Sequence, residues 1–419
     1  MLILKGNIIS SDGFDTLSIF ENSYLVADSN GFIEGIYKEL PKEYKNEHID
    51  DYGDSLIMQS FSDMHLHAPQ YPMLGMGMDL ELIDWLNTYT FPTEAHFKDN
   101  ELARRVYSKL AHELVKNGTT RVAMFSSLHK EATLILMEEL EKAGVCGYAG
   151  KVNMDRNGGV DLEETTEESI KETKDWLKKC NFKNIKPIIT PRFTPSCTNE
   201  LMEELGKIAK ENNLPIQSHL SENQGEIAWV KELHPDCEEY WETYKKYDLW
   251  NNKTLMAHCV HSSQRELDAM KKAGVYVVHC ASSNNNLISG YASIKKMVKQ
   301  GVRVVLGSDI AGGDHLSMFD NVAATIRASK GRNILDNWKT GFLTVEEAFY
   351  LGTSAANSFF GELPGFAKGN KLHCLVLDDS ELVSVRELSI KERFERSMYL
   401  REENAIKAVY ANSKKIYNV

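Results

Sequence analysis

Long hydrophobic runs are missing from the sequence: no window approaches about 18 uninterrupted apolar residues, close to what a bilayer-spanning helix needs. The N-terminal MLILKGNIISSDGFDT holds one short apolar run with no basic segment ahead of it, so neither a secretory leader nor a membrane anchor is expected. Positive charge is also in deficit. The 48 lysines and arginines face 60 acidic residues for a formal net charge of -12, which leaves no broad cationic surface to neutralise phosphates. Nucleic acid is not an expected partner. Cysteine is sparse: the seven residues, at 146, 180, 197, 237, 259, 280 and 374, never form a C-x-x-C pair. That pattern argues against a disulfide framework or a thiolate zinc site and fits a reducing cytoplasm. Low-complexity segments are absent, as is any internal repeat shorter than a strand-helix unit.

What is present is a change of texture along 419 residues, too many for one compact domain. Residues 1–58 read as short β runs (LILKGNIIS, LSIF, YLVAD, GFIEGIY) separated by Gly and Asn. From residue 59 onward, apolar β-rich runs alternate with stretches of helical period, the signal of strand-helix units around a parallel sheet. Eight such runs can be counted: SLIMQSFSDMHLH, TTRVAMFSS, VCGYAGKVN, IKPIITPRF, LPIQSHLSE, TLMAHCV, VYVVHCASS and RVVLGSDI. Eight is the number of a closed barrel. Between them lie ELARRVYSKLAHELVKNG, closed by Gly118, and TEESIKETKDWLKKC. After TVEEAFYLGTSAANSFFG, a Gly-punctuated β run, FAKGNKLHCLVLD, re-enters the β layer. The expected fold class is α/β: a (β/α)8 TIM barrel over 59–362 beside a small β-sandwich domain built from 1–58 and 363–419.

Barrel enzymes carry their chemistry at the C-terminal ends of the strands. Here the first run ends in His65 and His67, two imidazoles at strand spacing that share a face and can share a metal ion. The fifth ends in His219, the sixth in His258, the seventh in His279 and the eighth in Asp309. A lone strand-end histidine is most often a satisfied core or rim residue. His65, His67, His219 and His258 with Asp309 at one barrel mouth, buried without a metal, would cost several kcal/mol in unsatisfied polar groups, about enough to oppose folding. Imidazole with carboxylate suits zinc, or iron. Glu222, three residues after His219, can stand beside a metal-bound water as a general acid/base; the competing reading makes it a helix cap.

The segments D-M-H-L-H-A-P-Q-Y, D-L-E-L-I-D-W-L-N-T-Y-T-F-P-T-E, P-R-F-T-P-S, S-H-L-S-E-N, M-A-H-C, H-C-A-S-S-N and L-G-S-D-I-A-G-G span Gln59 to Gly313. Together they resemble the guanine deaminases of the amidohydrolase superfamily, and the stretch Asp79 to Glu94 separates these from their relatives better than the metal ligands do. The resemblance implies that His65, His67, His219 and Asp309 hold one zinc ion per chain, with iron as the alternative. It implies that His258 hydrogen-bonds the water or the substrate and that Glu222 shuttles the proton. Gln70, Arg192 and Phe193 match the purine-holding positions, with His219 and Glu222 facing the same substrate; a guanidinium fork suits the O6 and N7 edge of guanine. Binuclear relatives carry a lysine at the end of the fourth strand. Here that run ends Thr190-Pro191-Arg192, so a single metal is expected. The implied reaction is attack of an activated water on the amino-bearing purine carbon, with Glu222 passing its proton to the adjacent ring nitrogen and ammonia leaving to give xanthine.

Guanine and water are the implied partners, and a cytoplasmic homodimer the implied assembly. Rival readings are a relative that deaminates or dechlorinates a cytosine, adenosine-type or triazine substrate, and a catalytically silent scaffold barrel. One departure is Gly369-Asn370-Lys371-Leu372-His373, where the family commonly reads G-K-D-x-D. Asp63 is expected to support the ligands from behind. The Met-rich stretch 73–78 reads as pocket mouth or core filler. His279 reads as structural or as a support behind the ligands, not as a ligand itself, and His96, His112, His129, His234 and His261 receive no role.

Overall fold

Alternating apolar residues open the chain with β1 (Leu2–Gly13) and β2 (Thr16–Ala27), followed by β3 (Ile33–Tyr37) and β4 (Asp50–Gln59) in a computed structural model that describes residues 1–159, 161–402 and 404–419. The runs LSIF and YLVAD, expected as separate strands, are one strand. Asn22 adopts φ 41° and donates its backbone N–H to Asn7 Oδ1, so the polar stretch between them forms a bulge against β1 and not a turn. The first long run also differs from expectation. SLIMQ ends β4, Ser60 donates its N–H to His373 O, and a new strand, β5 (Phe61–His67), begins at once.

The barrel continues with β6 (Thr119–Phe125), β7 (Cys146–Gly150), β8 (Val152–Asn153), β9 (Ile185–Pro187), β10 (Thr190–Pro191) and β11 (Ile216–Leu220). It then adds β12 (Thr254–His258), β13 (Tyr276–His279) and β14 (Arg303–Leu306). Two parallel four-stranded sheets result, β5-β6-β7-β9 and β11-β12-β13-β14, with β8 and β10 paired beyond the third and fourth strands. IKPIITPRF is thus broken in two where its backbone turns toward the mouth. Between the sheets, Gln217 donates to Ile189 O at 2.9 Å on one side, and Asp309 N–H donates to His65 O at 2.8 Å on the other. Helices cover the outside, as in a TIM-barrel fold.

Capping and burial explain those helices. Asp99 accepts from Glu101 and Leu102 N–H at the start of Asn100–Lys116, and Val106, Leu110 and Leu114 repeat every four residues on its buried face. Each fully buried aliphatic side chain there contributes about 1.5–3 kcal/mol. The helix stops at Asn117, and Gly118 follows with φ 79°; a Cβ there would lie 2.6 Å from Leu375 Cδ2. Thr165 and Glu168 form a capping box on Thr166–Lys179.

After the barrel come β15 (His373–Leu377), β16 (Ile406–Ala411) and β17 (Lys414–Asn418). Both ends of the chain are hydrogen-bonded into one seven-stranded sheet, in the order β17-β16-β15-β4-β1-β2-β3. One face sends Ile9, Met58, Leu375 and Val409 into the core shared with the barrel helices. Ala123, Leu255, Val278 and Val305 form a separate apolar cluster whose members alternate along the barrel strands with residues of that shared core. The C-terminal ends of the barrel strands carry the polar groups, His65 and His67, His219, His258 and His279 among them.

Candidate active site

Because residues two apart on a strand share a face, β5 presents His65 and His67 together. His67 Nε2 lies 3.1 Å from His219 Nε2 at the end of β11, and His65 Nε2 lies 3.2 Å from Asp309 Oδ1 just beyond β14. Asp309 Oδ1 is also 3.6 Å from His67 Nε2. The ring of Phe125, from β6, packs against all three imidazoles, with centroids 4.9, 4.6 and 5.0 Å from His65, His67 and His219. His219 Nδ1 donates to Arg192 O at 2.6 Å, which turns the lone pair of Nε2 toward the cluster. His258 Nδ1 donates to Asn284 Oδ1 at 2.9 Å, so its Nε2 faces Glu222 Oε2 at 3.4 Å and Asp309 Oδ2 at 3.8 Å. Both His258 (φ 72°) and Asp309 (φ 50°) sit in left-handed backbone, a strain of about 1–3 kcal/mol each of the kind that collects at working sites.

Burial, together with the neighbouring imidazoles, holds His67 and His219 well below the ordinary histidine range, so both are neutral with free lone pairs. Asp309 is pushed up by burial, but the nearby imidazoles of His65, His258 and His67 together outweigh this and keep the carboxyl well below its usual range. Glu222 moves the other way: burial first, then the charges of Glu226 and Asp309, raise it well above an ordinary glutamate. His65 Nε2 and His67 Nδ1 are buried without hydrogen-bond partners, and the Nε2 atoms of His67 and His219 stand 3.1 Å apart, so the ring nitrogens crowd together with few protein partners. A divalent cation would give the converging nitrogens a common partner, and three imidazoles with one carboxylate are a donor set that zinc or iron accepts. The residues fit a metal.

Above this floor lies a narrow cavity bounded by Leu82, Trp85, Leu86, Phe193 and Leu287, with Gln70 and Arg192 among its polar lining. Arg192 gives two N–H groups to Glu94, at 2.6 and 3.0 Å, and Gln70 Nε2 donates to the same carboxylate at 2.9 Å. The guanidinium also lies over the Phe91 ring, 5.0 Å from its centroid. Gln70 Oε1 accepts from Ala311 N–H. The expected purine-holding residues therefore meet, but through a buried acid that sequence reading placed in a diagnostic segment without a role. Asn284, Ser289 and Phe125 were missed as well. Asn284 stands in the quoted H-C-A-S-S-N, and that nearness in sequence to β13 was the only signal.

Glu222 does not cap the helix Gln224–Leu233; Asn223 and Glu226 do. Its Oε1 instead accepts from Ser289 Oγ at 3.3 Å. Asp63 lies behind the ligands, accepting from Ser308 N–H at 2.9 Å and from its hydroxyl, and burial raises it to about 6. His279 is buried at the end of β13, and burial lowers it to about 3. In the Met-rich stretch, Met73 is core while Leu74 and Met76 are exposed. All seven cysteines are free thiols.

The sequence profile of the amidohydrolase family matches residues 56–379, which includes every strand of the barrel and every residue of the cluster. The chain belongs to the amidohydrolase family. Among its relatives, a guanine deaminase of Dictyostelium discoideum is 35% identical, covering 99% of this chain and 98% of the relative. A guanine deaminase of Mus musculus is 38% identical over 99% of this chain and 96% of the relative. A crystal structure of guanine deaminase from C. acetobutylicum, with bound guanine in the active site, superimposes with a TM-score of 0.96 at 43% identity, covering 99% and 100% of the two chains. The amidohydrolase strands thus carry a site whose floor and wall have different chemistries.

Proposed function

We propose that this amidohydrolase is a guanine deaminase that converts guanine and water to xanthine and ammonia. The observation that carries the reading is the convergence of His65, His67, His219 and Asp309 beside Glu222, beneath a cavity with Arg192 and Gln70 on its wall. His65, His67, His219 and Asp309 would hold one metal ion, zinc or iron. When bound, such an ion lowers the pKa of its water to about 7 and supplies a nucleophile at neutral pH.

The protein's own groups do the rest. Arg192 retains N–H groups beyond the two given to Glu94 and aims them at the lactam oxygen and N7 of the ring. The Phe193 ring and the apolar wall of Leu82, Trp85 and Leu86 exclude water from the heterocycle. His258, fixed by Asn284, orients the attacking oxygen together with Asp309. Glu222 takes the proton from that oxygen and delivers it to the ring nitrogen beside the amino-bearing carbon. A second transfer through Glu222 to the amino nitrogen lets ammonia depart. Its raised pKa, caused by burial and by Glu226 and Asp309, suits a group that must both hold and release a proton near neutrality.

The reading extends to the organisation of the chain: a catalytic barrel over 59–362 with a small β domain made from 1–58 and 363–419, assembled as a homodimer in the cytoplasm. Seven free thiols support the reducing compartment, and no helix among the described residues is long and apolar enough to cross a membrane. Ammonia release from guanine, adenine, cytosine and a triazine tests the assignment. Strong preference for guanine is expected; equal or faster turnover of any of the others overturns it.

A further inference from the structure

The Glu94–Arg192 pair is unusual for a recognition site because the cation is already matched. The two side chains are only 1% and 3% exposed, and the guanidinium meets the carboxylate through two parallel hydrogen bonds. Glu94 also fixes the Gln70 amide, so one carboxylate orients both polar groups of the wall. An arginine left alone at this depth would draw in any anion. Paired, it keeps directional N–H donors while its net charge is cancelled within a few ångströms.

We infer that Glu94 is the specificity-determining positioning residue of this site, tuning the wall to bind an uncharged lactam ring and to release an anionic one. The inference rests on the deaminase reading, because that reaction changes the acidity of its own ligand. Replacing the amino group of guanine by a carbonyl places a ring N–H between two electron-withdrawing carbons, and xanthine ionises near neutral pH where guanine does not. A wall with an unmatched guanidinium would bind this anion and become product-inhibited. The neutral wall accepts the substrate by hydrogen bonding and offers no charge to hold the product.

The test compares inhibition of guanine deamination by xanthine and by hypoxanthine, which shares the lactam and N7 edge but stays neutral over the same range. In the wild-type enzyme, raising the pH through the ionisation of xanthine should weaken xanthine inhibition and leave hypoxanthine inhibition unchanged. His67, His219, Glu222, His258 and Asp309 also line the cavity, and the hypoxanthine arm cancels their titration. In Glu94→Gln, xanthine should tighten relative to hypoxanthine by about tenfold, the scale of one unmatched partly screened charge, while KM for guanine rises. Glu94→Asp, which keeps the charge, should retain the wild-type ratio despite a higher KM. A purely structural role for Glu94 would weaken both inhibitors together.

Should Glu94→Gln not fold, the wild-type pH comparison still decides: xanthine inhibition that stays level or tightens as xanthine ionises overturns the inference. An unchanged ratio in a folded Glu94→Gln overturns it too. If the wild-type protein releases no ammonia from guanine, it is the deaminase reading that fails.

Discussion

His65, His67 and His219 stand on hydrogen-bonded strand ends, whereas Gln70, Trp85 and Glu94 come from a succession of short helical turns between residues 68 and 98. The floor of the cavity is made rigid by the barrel ladder, and its wall is made rigid by side chains, above all by a carboxylate that ties Arg192 to Gln70. On the proposed reading, chemistry that needs fixed ligand geometry is placed on the sheet, and recognition where a change of sequence can reshape the wall without disturbing the ligands.

The largest expected effect separates the two regions outright. Glu222→Gln should lower kcat by about 10²-fold or more while metal content and guanine binding stay near wild type, since only the proton transfer is lost; kinetics with metal analysis on the same sample checks this. A parallel loss of metal would mean that Glu222 belongs to the ligand set. Arg192→Met attacks the wall and should leave the metal in place. Glu94 then remains buried without its cation, so stability should fall by about 3–5 kcal/mol in denaturant titration and KM for guanine should rise. Wild-type KM in that variant would remove Arg192 from recognition.

How much of this difference was legible follows from the same division. His65 and His67 could be read from spacing alone, and His219, His258 and Asp309 from the polar endings of apolar runs, because strand geometry translates sequence position into direction. Glu94 could not. Its partners lie 24 and 98 residues away, and no periodicity in a stretch of three- to six-residue helical turns points its side chain inward. The break at Ser60 was hidden for a related reason: β4 and β5 are both apolar and adjoin, so a run that reads as one strand serves two sheets. The bulge at Asn22 likewise resembled a turn until its pairing with Asn7 was visible.

Smaller effects sharpen the comparison further. Asn284→Ala removes the acceptor that orients His258, leaving one buried ring donor unmatched; a loss of about 1–3 kcal/mol should appear as roughly tenfold lower kcat with little change in KM. A change confined to KM would place His258 on the recognition side. Met76→Ser, on an exposed side chain whose backbone carbonyl still accepts from Trp85, should shift stability by no more than about 0.5 kcal/mol and leave turnover alone.

Metal content measured beside activity tests the central claim most directly. The account predicts about one zinc or iron ion per purified chain, loss of guanine deamination on exhaustive chelation, and recovery when the ion is returned. Full activity in protein stripped of metal would contradict it.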